Sequence, residues 1–106
     1  MRDKINEILN LIKINEFVEA ERKCEEIKIK LNENVEFLHI YGFVFFNLKK
    51  YDQAINLWNK AIIIDPKFAQ GLNNLGNAYL KIKKFDEAIK YLNDALKLKP
   101  DSFETY

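Results

Sequence analysis

The chain has 106 residues, of which 48% are hydrophobic and 31% are charged, and its formal net charge is +1 at pH 7. The apolar share excludes intrinsic disorder, and the length allows one packed domain or a short array of repeats. The near-neutral charge supplies no strong basic field, so we expect neither a nucleic acid nor a membrane surface as a partner.

Cysteine usage and the apolar runs indicate where the protein works. Cys24 is the single cysteine and cannot form an intramolecular disulfide, which is typical of a reducing compartment. Charged side chains within residues 1–13 interrupt any signal-peptide run, and the longest apolar stretch, residues 40–46, is too short to cross a bilayer. We therefore expect a cytoplasmic protein.

The chain repeats itself at a fixed offset of 34 residues. The residues that coincide are Phe17, Tyr51 and Phe85; Ala20, Ala54 and Ala88; Cys24, Trp58 and Leu92; Ile27, Ala61 and Ala95; Gly42 and Gly76; Phe45 and Tyr79; Pro66 and Pro100. A fixed period of this length is the mark of stacked structural repeats. It predicts one domain over residues 1–106 with units at residues 1–34, 35–68 and 69–102, and with residues 103–106 as the start of a fourth unit or a partial cap.

The first unit departs from this register. At the strict offset, Lys4 and Glu7 would fall on buried positions. A turn near Asn15 that is one residue shorter would instead bury a consistent apolar stripe, made of Ile5, Ile8, Leu9 and Ile12. We expect this slip, because a terminal repeat has one face in water and is commonly atypical.

The second unit has the spacing of two helices. Apolar residues recur at i, i+3, i+4 and i+7, which is the period of a helix that buries one face. These residues are Leu38, Tyr41, Gly42 and Phe45 in the first helix, and Ala54, Leu57, Trp58 and Ala61 in the second. At about 100° per residue, Phe43 points away from the buried face of its helix.

The third unit has the same spacing. Its residues are Leu72, Leu75, Gly76 and Tyr79, followed by Ala88, Tyr91, Leu92 and Ala95. Carboxylates stand in the first turns of the predicted second helices, where they complement the helix dipole, at Asp52, Asp86 and Glu87. Pro66 and Pro100 follow helix ends that they cannot continue. Each unit is therefore predicted to be a helix pair.

These residues resemble a known repeat family. The run from Leu72 to Tyr79, followed by Ala88, Leu92, Ala95 and Pro100, is similar to the tetratricopeptide pattern W-x2-L-G-x2-Y…A-x3-F…P. Residues 35–68 match the pattern as well. The resemblance implies an all-α fold, a right-handed α-solenoid of three antiparallel helix pairs, in which the first helices line a concave groove. It also implies a non-catalytic protein-interaction or scaffold module.

On that fold, the side chain of Phe43 would point into the groove and contact an apolar anchor residue of a bound peptide or protein. Asparagine amides both donate and accept, so they can hydrogen-bond an extended peptide backbone. The predicted groove residues are Asn6, Asn10, His39, Ile40, Phe43, Phe46, Asn47, Asn73, Asn74 and Asn77. The alternative is that neighbouring helices or a second copy of the chain cover Phe43, and that the asparagines reflect composition.

Two groove chemistries of the family can be compared with this chain. Tetratricopeptide clamps for chaperone tails hold carboxylates with Lys, Asn and Arg. If the second and third units opened such a clamp, His39 and Phe43 would stand at its Lys and Asn positions. If they closed it, Gln70 and Asn74 would replace the basic pair, so we expect no chaperone-tail binding in either case. Asn74 resembles one rung of the asparagine ladder of O-linked N-acetylglucosamine transferase arrays, and Ile40 interrupts that ladder.

The second helix predicted for the third unit has apolar residues that could support self-association. Without a fourth helix pair, its apolar residues would lack the neighbour that the repeat design provides. We expect a homo-oligomer through this uncapped face, formed by Ile89, Leu92, Leu96, Phe103 and Tyr106. The alternative is that Phe103 and Tyr106 fold back as a partial cap.

We find no catalytic pattern. His39 is the single histidine and Cys24 the single cysteine, so the chain cannot assemble a Cys/His zinc site, and it has no glycine-rich phosphate loop. We therefore expect no enzyme activity, no cofactor and no metal in these residues. The competing reading is that they belong to a larger enzyme, such as a glycosyltransferase, and select its protein substrate.

Overall fold

The structure, a computed structural model, describes residues 2–98. These residues form the helices α1 (Arg2–Lys13), α2 (Phe17–Ile27), α3 (Val35–Asn47), α4 (Tyr51–Ile64), α5 (Ala69–Lys81) and α6 (Phe85–Leu98). Between residues 2 and 98 there is no strand, and each helix packs mainly on its neighbours in chain order. The predicted right-handed all-α solenoid of antiparallel helix pairs is confirmed. Residues 99–106, and with them Pro100, lie outside the described part.

The turn inside each helix pair is the same in all three units. Three residues separate the paired helices, and the second of them has a left-handed backbone, at Asn15, Lys49 and Lys83 (φ 61°, 63° and 65°). The next N–H then donates to a carbonyl of the last helical turn, from Glu16 to Leu11 at 2.8 Å, from Lys50 to Phe45 at 2.9 Å and from Lys84 to Tyr79 at 2.9 Å. This is a Schellman ending, which satisfies carbonyls that a helix end leaves free.

The apolar stripe predicted for the first helix is present, because Ile5 and Ile8 are buried and Leu9 and Ile12 pack partly buried against the core. The shorter turn expected with it is wrong, because the turn of the first unit is as long as the other two. Ile8 therefore occupies the position of Gly42 and Gly76. Ile8 is nevertheless buried, together with Ile5. The pair accommodates this larger side chain because the position that holds Trp58 and Leu92 in the later units holds the small Cys24 in the first. Large and small residues have thus exchanged places between the two helices.

The helices of the second unit approach closely at Gly42. A Cβ atom there would lie 2.7 Å from Cδ1 of Trp58, so a side chain at this position would collide with the indole. The Nε1 of Trp58 donates a hydrogen bond to the backbone oxygen of His39 at 3.1 Å. In the third unit, Gly76 leaves room for Leu92 in the same way, because a Cβ would lie 2.5 Å from Cγ of Leu92.

Helix α3 lies at the centre of the core. It packs against α1, α2 and α4, and this explains why it is apolar on most sides. Its buried residues are Phe37, Leu38, Ile40, Tyr41, Gly42, Val44 and Phe45. Asn34, just before the helix, caps its first turn, because the Asn34 side-chain oxygen accepts from the N–H of Phe37 at 2.8 Å. Packing against three neighbouring helices thus fixes the position of α3 in the core.

Candidate functional site

Phe43 lies on the surface of α3, with 38% of its area exposed. Its ring centroid is 6.4 Å from that of Phe17, the first residue of α2, with an interplanar angle of 61°. This is the edge-to-face geometry that aromatic rings prefer. We call Phe17 and Phe43 the aromatic pair. Helical periodicity predicts the outward direction of Phe43 but misses Phe17, because the repeat offset does not say which helix an aromatic residue meets.

The residues expected to flank Phe43 do not form an open surface with it. Ile40 is 6% exposed and belongs to the core, so its assignment to the groove is wrong. Phe46 is half-buried, and its ring lies 5.3 Å from Tyr51 and 5.7 Å from Trp58, against α4. The physical reason is that α3 has neighbours on three sides, whereas the periodicity argument assumed a single buried face.

His39 is packed between rings. Its ring centroid lies 5.1 Å from that of Phe68 and 6.4 Å from that of Trp58. Its Nδ1 atom is buried and has no hydrogen-bond partner within residues 2–98. Burial lowers the pKa of His39, because the charged imidazolium is poorly solvated there. The side chain is therefore neutral near pH 7 and offers little surface to a partner.

The predicted groove asparagines differ in exposure. Asn6, Asn47 and Asn77 are exposed, whereas Asn73 and Asn74 are half-buried. The Nδ2 of Asn47 donates to the backbone oxygen of Phe43 at 2.8 Å, which leaves its Oδ1 able to accept.

Asn10 does not occupy the groove position that the slip predicted. In the observed register, Leu9 stands at the position of Phe43, so the assignment of Asn10 is wrong. Asn10 instead lines a cleft of about 590 Å³ between α1 and α2. An ion pair between Glu7 and Lys23, at 2.8 Å, lies beside this cleft, and the hydrogen bond from Lys23 lowers the pKa of Glu7.

The expected self-association residues fall partly on an apolar stripe of α6. Ile89 and Leu96 are exposed, and Leu92 is half-buried against Gly76. Phe85 is also exposed, although its repeat equivalents Phe17 and Tyr51 are half-buried. We call Phe85, Ile89, Leu92 and Leu96 the α6 stripe. Phe103 and Tyr106, which were expected to extend it, lie outside the described residues.

The single thiol is not placed for chemistry. Cys24 is completely buried, and this burial raises its pKa to about 12, so the reactive thiolate is not populated near neutral pH. Residues 2–98 contain no group of three or more His, Cys, Asp or Glu side chains that could hold a metal ion. None of the helices in this range has the length and apolarity needed to cross a membrane.

Two family models match the chain. One, described as tetratricopeptide repeat, matches residues 69–102, and the other, described as TPR repeat, matches residues 42–83. Together they span residues 42–102. A search of curated proteins found no match.

Several solved structures have the same fold. A mutant O-GlcNAc transferase from Thermobaculum terrenum has a TM-score of 0.86 and 26% identity, over 94% of this chain and 19% of that chain. The first TPR of Spaghetti (RPAP3), bound to the HSP90 peptide SRMEEVD, has a TM-score of 0.87 and 22% identity, over 93% of this chain and 79% of that chain. MamA from Desulfovibrio magneticus RS-1 has a TM-score of 0.86 and 15% identity, over 92% of this chain and 55% of that chain. The chain thus spans about a fifth of the transferase and about half of MamA.

Proposed function

Since this chain belongs to the tetratricopeptide repeat family, we propose that it is a protein-interaction module that binds a peptide segment on the face of its first helices. The observation that carries the proposal is the aromatic pair. Phe43 stays exposed on the central first helix while most other apolar residues of that helix are buried. A large aromatic side chain with a free face is a common anchor point in protein interfaces.

The polar residues near the aromatic pair suit the backbone of an extended peptide. Asn47 follows Phe43 by one helical turn and keeps its Oδ1 available to accept a peptide N–H. Asn77 is exposed at the repeat position of Phe43 in the third unit. We therefore expect a bound segment to place an apolar side chain on the aromatic pair and to hydrogen-bond Asn47 and Asn77.

A similar structure supports peptide binding by this fold, because the first TPR of Spaghetti was solved with a bound peptide. The chemistry of the groove differs from a carboxylate clamp. The clamp positions hold His39, Phe43, Gln70 and Asn74, and none of these side chains carries a fixed positive charge. We therefore propose an apolar-anchored segment as the ligand of this face, in preference to an acidic chain terminus.

The substitution Phe43→Ala tests this proposal. We expect roughly tenfold weaker binding of the partner segment, because an anchoring aromatic is lost. The free energy of unfolding should fall by about 1–2 kcal/mol, less than for a fully buried ring, since 38% of Phe43 is exposed. Quantitative affinity capture from native lysate identifies the partner, and fluorescence anisotropy with its peptides measures the affinity.

Phe85→Ala is the matched control, because it removes an equally large exposed aromatic from α6. We expect it to leave peptide binding unchanged. If Phe43→Ala captures the same proteins with the same affinity as the parent chain, binding on the aromatic pair is wrong.

A second candidate function is substrate selection within a larger enzyme. It is favoured by the 26% identity to the Thermobaculum terrenum O-GlcNAc transferase, of which this chain spans 19%. In the observed register Asn6 joins Asn74 at the ladder position, and Ile40 interrupts the row between them. Detecting a catalytic region in the same natural polypeptide would favour this candidate.

A third candidate is self-assembly, which the α6 stripe favours. Phe85, Ile89 and Leu96 of this stripe are exposed, whereas their equivalents in the second unit, Tyr51, Ile55 and Ile62, are half-buried or buried. Light scattering over a range of concentrations measures it. A rising mass that Ile89→Ser suppresses would support assembly, and a constant monomer mass would contradict it.

A further inference from the structure

Helix α2 ends early compared with the other second helices. It stops at Ile27, whereas α4 continues to Ile64, which corresponds to position 30 of the first unit. Helix α6 is still helical at the equivalent Leu98, the last residue that the structure describes. Residues 28–33 form turns instead of the last helical turn. The connection from α2 to α3 is therefore longer than that from α4 to α5, which is residues 65–68.

This early ending leaves a cleft of about 280 Å³ between the connection, α3 and α4. Its lining is mainly apolar. The floor consists of Phe37, Leu38 and Tyr41 from α3, and the sides include Leu57 from α4 and Ile29 from the connection. Ile29 is 83% exposed, so an apolar side chain stands in water at the mouth of an apolar cleft. A floor built from buried core residues is rigid and preformed.

The polar lining of the cleft is cationic. Lys28 and Lys60 line it together with Asn32, and no carboxylate does. Lys28 is paired with Glu25 at 2.7 Å, whereas Lys60 makes no ion pair within the described range of residues 2–98. The repeat position of Lys60 holds Glu26 in the first unit and Asp94 in the third. Of these three equivalent positions, the one that lines the cleft is therefore the one with a positive charge.

We propose that this cleft is a second binding site, which accepts one apolar side chain of a partner peptide that has Asp or Glu next to it. The volume is below the range of about 300–1,000 Å³ that is usual for whole small molecules, so a single large side chain is the occupant that fits. The lysines supply the charge complement, since acidic neighbours of that side chain would lie at the rim.

This site is distinct from the aromatic pair. On α3, Phe37, Leu38 and Tyr41 centre on the side of the helix opposite to Phe43, at about 100° per residue. A partner that bound both the aromatic pair and the cleft would contact the second helix pair from two sides. The cleft can also bind a ligand when the aromatic pair does not, so the two proposals stand or fall separately.

The experiment uses the full chain, labelled with nitrogen-15, and three synthetic peptides. They are acetyl-Asp-Glu-Phe-Glu-Asp-amide, the same peptide with Ala in place of Phe, and the peptide with Lys at all four acidic positions. We expect amide shifts at Ile29, Leu57 and Lys60 with the first peptide, and roughly tenfold weaker or absent binding for the other two. Shifts confined to the surroundings of Phe43, no shifts at all, or equal shifts with the Lys peptide would overturn the proposal.

Matched variants then locate the site. Ile29→Ser removes the apolar mouth, and Ile63→Ser is its control, because Ile63 is the repeat equivalent and is 79% exposed. Lys60→Glu reverses the rim charge, and Lys67→Glu reverses an exposed charge that does not line the cleft. We expect binding to weaken roughly tenfold in Ile29→Ser and Lys60→Glu only. All four positions are exposed, so the variants should fold; equal loss in the controls would reject the cleft.

Discussion

The second and third helix pairs have similar residues at equivalent positions but differ in burial. Ile55 is 7% exposed and its equivalent Ile89 is 57% exposed, and Trp58 is buried where Leu92 is half-buried. The difference lies in the neighbours, because α5 packs on α4 whereas no helix within residues 2–98 follows α6. In this array, burial depends on the next unit as much as on the residue itself.

The largest expected contrast is between Trp58→Ala and Leu92→Ala. Removing the indole from the centre of the core leaves a cavity and should cost about 3–5 kcal/mol of the free energy of unfolding. Leu92→Ala should cost less than about 2 kcal/mol, because Leu92 is already partly in water. Urea unfolding followed by far-ultraviolet circular dichroism measures both. Equal losses would mean that the third pair is as well covered as the second.

A smaller contrast is expected between Gly42→Ala and Gly76→Ala. At Gly42 the new methyl group collides with the rigid indole of Trp58, and overpacking of this kind costs about 1–3 kcal/mol. At Gly76 the new Cβ would lie 2.5 Å from Cγ of Leu92 and 3.2 Å from the backbone oxygen of Ala88. Leu92 is half-buried, so it can move outward more easily than the buried indole of Trp58. The helix propensity of alanine, worth about 1 kcal/mol, should offset most of that cost. Thermal unfolding of the two variants side by side provides the measurement, and a more harmful Gly76→Ala would contradict it.

The smallest expected effect is a pH dependence from the single histidine, His39, which lies in the second pair. His39 occupies the position of Asn73, and burial lowers its pKa in the folded state. The unfolded chain therefore takes up the proton first, and stability is lost as the pH falls through about 6.5, the usual value of histidine, toward the lowered folded value.

His39→Phe tests this dependence, because it keeps a ring between Trp58 and Phe68 and removes the titration. We expect the melting temperature of the parent chain to fall more than that of the variant between about pH 7.5 and about pH 5.5. An identical fall in both proteins would show that His39 does not contribute.

The repeat period was sufficient to predict the helix pairs and their order. It works because each pair has the same three-residue turn, and because the first helices of the second and third pairs, which begin at Val35 and Ala69, start 34 positions apart. The strict 34-residue offset gives the observed length of the first turn, although the polar Lys4 and Glu7 at positions that are buried in the other units argued against it. The exchange of bulk between Ile8 and Cys24 is a property of two residues together, and inspection of either position alone does not reveal it.

The candidate sites were only partly predictable. The outward direction of Phe43 follows from helical periodicity, but the burial of Ile40 depends on how many helices surround α3. The cleft beside Lys60 was not predicted, because it results from the early end of α2. Residues 28–30 contain two lysines where the second unit has isoleucines, but lysine is a good helix former, so this difference does not predict the early end.

The aromatic pair joins two units, since Phe17 belongs to the first helix pair and Phe43 to the second. It is therefore complete only while these two pairs are docked. A ligand that binds both rings would bind only the docked form of the two helix pairs. By mass action it would stabilise this form over any form in which the pairs separate. Ligand binding at the aromatic pair would then strengthen the packing between the first and second repeats.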